Sequence, residues 1–153
     1  MMDNLYNSQI LAYAANLTHQ GRLDDFDGEG RAFSRLCGSH IHVTLKLKEG
    51  YVTDFAQDIR ACALGQAAAA MMAEVIIGKR VEDLQKLKKD MHHFLKEKAP
   101  SPAPPFDIFA LLTPVQDYKN RHDSTLLIFN AVDEAIEKAM VTTAKKEEKS
   151  KKE

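Results

Sequence analysis

Two thiols, an imidazole and a carboxylate are the groups of this chain whose types and positions can hold a metal. Cys37 lies in Leu36-Cys37-Gly38-Ser39, between two strand-like segments. Cys62 lies in Ala61-Cys62-Ala63-Leu64-Gly65, where a strand gives way to an alanine-rich helix, and His122-Asp123 opens the last long helix. All four sit at element boundaries, where neighbouring side chains can converge. Two sulfurs, one nitrogen and one oxygen suit tetrahedral zinc, which accepts all three donor types. Ser39 is a poor ligand and is expected to hydrogen-bond a thiolate instead.

The elements that must position these groups are legible as patterns. Residues 4–17 have the apolar spacing of a short amphipathic helix, and 16–30, with Gly21, Gly28, Gly30 and several aspartates, reads as a loop. Ile41, Val43, Leu45 and Leu47 alternate with polar residues, which predicts a strand with one wet face. Glu49-Gly50 supplies a hairpin turn, residues 51–59 return as the partner strand, and 31–36 is a weaker third strand. His40 and His42 fall on the wet face. A helix starts at Leu64 and ends by Gly78, and a second covers 81–95. The stretch Ala99-Pro100-Ser101-Pro102-Ala103-Pro104-Pro105 is a stiff extended linker, and 106–112 a short helix. The final helix is expected over 122–140. Strands followed by helices predict an α+β domain, a small antiparallel three-stranded sheet with helices packed on one face. That domain is expected to span residues 1–143, with 144–153 a charged, disordered tail.

Composition narrows the function class. The chain has 153 residues and a formal charge of −1, against the basic face of a dedicated nucleic-acid binder. No apolar run is long enough to span a bilayer. Without a secretory-type start, the two cysteines are expected to be thiols in a cytoplasmic protein rather than a disulfide.

The succession Cys37-Gly38, strand hairpin, Cys62 before a small-residue helix, proline segment and a histidine motif opening a helix resembles the NifU/IscU/SufU scaffold family of iron–sulfur cluster assembly, in its SufU-type branch. The resemblance covers residues 5–140. In that family the first motif is Cys-Gly-Asp and the last, in its IscU form, His-Cys-Ser; here Ser39 replaces the aspartate and Asp123 the second cysteine, while His122 and Ser124 match. The family's Leu-Pro-Pro-Val-Lys chaperone segment has no counterpart, because the chain reads Leu112-Thr113-Pro114-Val115-Gln116. The resemblance implies a scaffold or sulfur acceptor that works with a cysteine desulfurase and passes its product to Fe–S acceptor proteins. It also implies that zinc or a [2Fe–2S] cluster sits at Cys37, Cys62, His122 and Asp123, and that Cys62 or Cys37 accepts sulfur. The alternatives are a degenerate interaction protein that keeps the fold and partner surface, a zinc hydrolase, and a Cys37–Cys62 redox pair.

Overall fold

The structure, a computed structural model, describes residues 5–35 and 38–152. Helix α1 (Ser8–Ala15) precedes strands β1 (Gly28–Phe33), β2 (His40–Lys48) and β3 (Tyr51–Arg60). Helices α2 (Ala63–Val75) and α3 (Val81–Lys96), a 3₁₀ stretch (Asp107–Asp117), a single 3₁₀ turn (Lys119–Arg121) and helix α4 (His122–Lys152) complete the described elements. The sheet is antiparallel in the order β1-β2-β3, as the alternation in β2 and the hairpin predict. Glu49 and Gly50 both have positive φ (53° and 85°), the backbone of a two-residue hairpin turn whose twist matches the flanking strands.

One face of the sheet is dry. Ile41, Val43 and Leu45 point there from β2 and are almost fully buried with Leu64, Met71, Phe129 and Ile136 of the helices. Helix α4 crosses beneath β1 at backbone distance: a Cβ on Gly28 would lie 2.1 Å from Ala135 O, and one on Gly30 2.0 Å from Ala131 O. The two glycines therefore belong to a strand pressed on a helix. The expected loop through residue 30 is corrected by a β1 that starts at Gly28. Turn composition misled the reading, since glycine in a strand also marks close backbone approach.

Opposite β1, the β3 edge is covered by the loop after α1, where Gln57 N donates to His19 O and Gly21 N to Gln57 O, both at 2.8 Å. On the wet face, His42 is half-buried rather than fully solvated, with Nε2 3.1 Å from Glu29 Oε1. That hydrogen bond, helped by Arg22, His42 and Arg31, holds the Glu29 carboxyl below its usual range against an opposing desolvation. A carboxyl lowered in the folded state stabilises the fold while ionised, and this contribution fades as pH falls through its folded value. Glu29→Gln should accordingly show a shallower loss of melting temperature than the parent on acidification below about pH 4.5. Parallel curves would discard the coupling.

The C-terminal end differs from expectation. Helix α4 continues through Lys152 instead of stopping near Met140, so the segment expected as a disordered tail is helical. Alanine, lysine and glutamate after residue 143 are strong helix formers. The extension is also tied to the sheet: Lys146 Nζ lies 3.1 Å from Asp27 Oδ1, and Asp27 Oδ2 accepts Leu47 N at 2.8 Å. Leu47 N lies where the β2–β3 register shifts, so Asp27 satisfies a donor beside the irregularity.

Candidate metal centre

Cys62 is the N-cap of α2, in extended conformation (φ −67°, ψ 172°), with Gln66 N bonded to its carbonyl at 2.9 Å. Strand β3 ends at Arg60 and the helix starts at Ala63, so the thiol is held at a rigid strand-to-helix junction and is half-buried. No side chain caps this terminus, which leaves the cysteine at the positive end of the helix dipole.

The His122 motif reaches this junction because Gly65 has no side chain. A Cβ there would stand 3.2 Å from Ser124 O and 2.8 Å from Ala61 Cβ, so glycine lets the start of α4 close on the first turn of α2. Ser124, 3% exposed, brings its hydroxyl within 3.6 Å of Cys62 Sγ, which donates to it, and donates in turn to Arg121 O at 3.1 Å. Thr125 Oγ1 donates to the same carbonyl at 2.8 Å.

His122 is 5% exposed. Its Nε2 lies 3.0 Å from Val115 O and 3.1 Å from Gln116 O. Both neighbours are acceptors, so Nε2 carries the proton and Nδ1 keeps the lone pair a metal would use. The 3₁₀ stretch thus selects the tautomer through its own backbone, an arrangement common behind metal-ligating histidines.

The four expected ligands are not all brought together. Asp123 turns outward, 61% exposed, and pairs with Lys96 Nζ of α3 at 3.5 Å. Neighbours on a helix point about 100° apart, so a buried His122 sends Asp123 to the surface. Among the described residues no three His, Cys, Asp or Glu side chains form a metal-sized group, so Cys62, His122 and Asp123 do not do so by themselves. Cys37 lies outside the described residues. Ser39 is buried at 3% exposure, and its carbonyl accepts Ser34 N at 2.8 Å. Elsewhere, Met71 and Met72 are buried in the core, and His92 Nε2 lies 3.1 Å from Asn130 Oδ1. Neither Gly65 nor the Ser124 contact carries a ligand signature in the sequence; the signal for both is the small residue at the mouth of each helix.

Residues 5–125 match the family model of the NifU-like N-terminal domain. The chain is 29% identical over 136 residues to the iron–sulfur cluster assembly scaffold protein IscU of Thermotoga maritima, covering 88% of this chain and 94% of that protein. It is 28% identical over 97 residues to the zinc-dependent sulfurtransferase SufU of Bacillus subtilis, covering 63% of this chain and 65% of the relative. Among solved structures, an N-terminal NifU-like protein from Brucella abortus superposes with a TM-score of 0.88 at 42% identity, over 91% of this chain and 96% of the other. A strand hairpin flanked by two cysteine positions, a histidine clamped at the mouth of the last helix and these matches agree: the chain belongs to the NifU-like N-terminal domain family.

Proposed function

We propose that this chain is an iron–sulfur cluster assembly protein, a scaffold or sulfur acceptor that works beside a cysteine desulfurase and hands its product to Fe–S acceptor proteins. The observation that carries this reading is the junction of α2 and α4, where the Cys62 thiol meets the His122 motif through Ser124 at 3.6 Å. Two relatives, a cluster assembly scaffold and a zinc-dependent sulfurtransferase, support it.

In this reading Cys37 and Cys62 supply thiolates and His122 its Nδ1. The donor types fit a single zinc ion with three protein ligands, whereas two cysteines fall short of an all-thiolate cluster site. Asp123 becomes the fourth ligand only by leaving Lys96, an exposed pair that costs little to break. Zinc, when bound, would hold its thiolates deprotonated. For sulfur transfer, a Cys62 or Cys37 thiolate attacks the terminal sulfur of a desulfurase persulfide. A new S–S bond forms as the old one breaks, and the desulfurase cysteine leaves as a thiolate, so no external oxidant is consumed. Working thiols of this kind belong in a reducing compartment, which favours the cytoplasm.

Anaerobic purification without an affinity tag, with zinc, iron and acid-labile sulfide measured together, tests the reading. About one zinc per chain, lost in Cys62→Ser, is the expected result. Iron with matching sulfide would replace zinc by a cluster, and metal content unchanged in Cys62→Ser would overturn the site. A second reading, a partner-binding protein without cluster chemistry, draws on Ser39 and Asp123 standing where the family has other donors. Metal-free protein that still binds a desulfurase would select it.

A further inference from the structure

We propose that the cavity between α1 and the C-terminal half of α2 is a binding site for a small organic ammonium ion with an apolar body. The cavity holds about 560 Å³, within the usual range for small-ligand pockets. Its apolar lining is Ala12 from α1, Ala70 and Ala73 from α2, and Ile77, whose side chain is left 43% exposed beside it. Alanines at these positions leave room that larger residues would fill, so an aliphatic or aromatic body meets their methyl groups, with Asn16 and Thr18 among the polar part of the wall.

The electrostatics of the walls select the charge of the ligand. Helices α1 and α2 both end at this cavity, and neither carries a basic residue in its last turn. Each end presents the negative pole of its helix dipole, where a lysine or arginine is normally favoured. Glu74 instead occupies the last turn of α2, adding a full negative charge where the dipole already disfavours one. Among the described residues no Lys, Arg or His forms an ion pair with Glu74; its carboxylate accepts only the Tyr13 hydroxyl, at 3.0 Å. His19, also on the wall, is turned to Thr18 Oγ1 at 3.2 Å. Burial, then the hydrogen bond to Glu74 and its charge, push the Tyr13 phenol up, so this donor stays protonated at neutral pH. At α1 the Asn16 side chain already donates to Ala12 O, yet a cation entering the cavity still meets the negative ends of two helices and one carboxylate together, an attraction of charge that neither an anion nor a neutral ligand has. The site lies about 18 Å along α2 from the cysteine at its N-terminus, so it is separate from the metal centre.

Titration of the ¹³C-labelled protein at pH 7.5 with hexylammonium, hexanol and hexanoate, read from alanine methyl shifts, tests the assignment. Hexylammonium should bind saturably at the Ala12, Ala70 and Ala73 methyls, roughly five- to tenfold tighter than hexanol, with hexanoate weakest. Glu74→Gln, an exposed and near-isosteric change, should erase the preference for the ammonium. Ala12→Phe fills the mouth from an exposed position and should remove binding of all three while leaving the rest of the spectrum native. Equal affinity for the three probes, or a preference that survives Glu74→Gln, would overturn the proposal. Nα-acetyl-lysine methylamide separates the sources of the cation: binding at the same methyls assigns it to a partner's lysine, and binding of the alkylamine alone to a free amine. None of these readouts depends on bound metal or on a desulfurase.

Discussion

Gly30→Ala should cost about 3 kcal/mol or more and lower the melting temperature by about 6–12 °C, the largest stability effect expected of any single methyl in this protein. The added Cβ would lie 2.0 Å from Ala131 O and 2.6 Å from Ala135 N. Both are backbone atoms of α4, so no rotamer change relieves the contact, and either the helix or β1 must move. Gly28→Ala meets Ala135 O at 2.1 Å and should behave alike. Gly50→Ala serves as the comparison. It has nothing within 4 Å and only the strain of φ 85°, so about 1 kcal/mol is expected. Urea unfolding of the three variants checks the ranking; a Gly30→Ala loss no larger than that of Gly50→Ala would mean that α4 does not press on β1 as described.

His122→Ala should combine a loss of about 2–3 kcal/mol with loss of the zinc proposed for this site. The stability part has a local cause: Val115 O and Gln116 O both lose the Nε2 donor inside a buried site. The metal part tests the free Nδ1. Asp123→Ala is the informative contrast, since its carboxylate pairs with Lys96 across an exposed surface and its removal should cost less than about 1 kcal/mol. Thermal melts with and without a zinc chelator separate the two contributions. If Asp123→Ala loses metal as completely as His122→Ala, the carboxylate swings inward on loading. If it keeps its metal, the site is Cys37, Cys62 and His122 with a fourth position open to sulfur donor or solvent. Metal retained in His122→Ala would remove the imidazole from the set.

Patterns within a few residues were enough for much of this molecule. The alternation of Ile41, Val43 and Leu45 determined a half-buried strand, Glu49-Gly50 its turn, and the leucine stripe from Leu84 to Leu95 a helix on the core. Each rests on side-chain periodicity or on backbone conformations that only certain residues adopt cheaply, and these are local properties. The motif positions of Cys62 and His122 were legible for the same reason, as both mark the start of a helix.

Tertiary structure decided the rest. Gly28 and Gly30 carry the composition of a loop, yet they pair with Leu45 and Val43 of β2 in a strand pressed on α4. His122 and Asp123 are adjacent in sequence and alike as candidate ligands, yet helix geometry buries one against Val115 and Gln116 and turns the other to Lys96. Asp27, one acid among several in an apparent loop, binds the end of α4 to the sheet through Lys146, a residue 119 positions away. These outcomes depend on which surfaces meet after the chain has closed over long sequence separations, and no local propensity encodes that. Residue types therefore determined which chemistry was available, and packing determined which of those groups face one another.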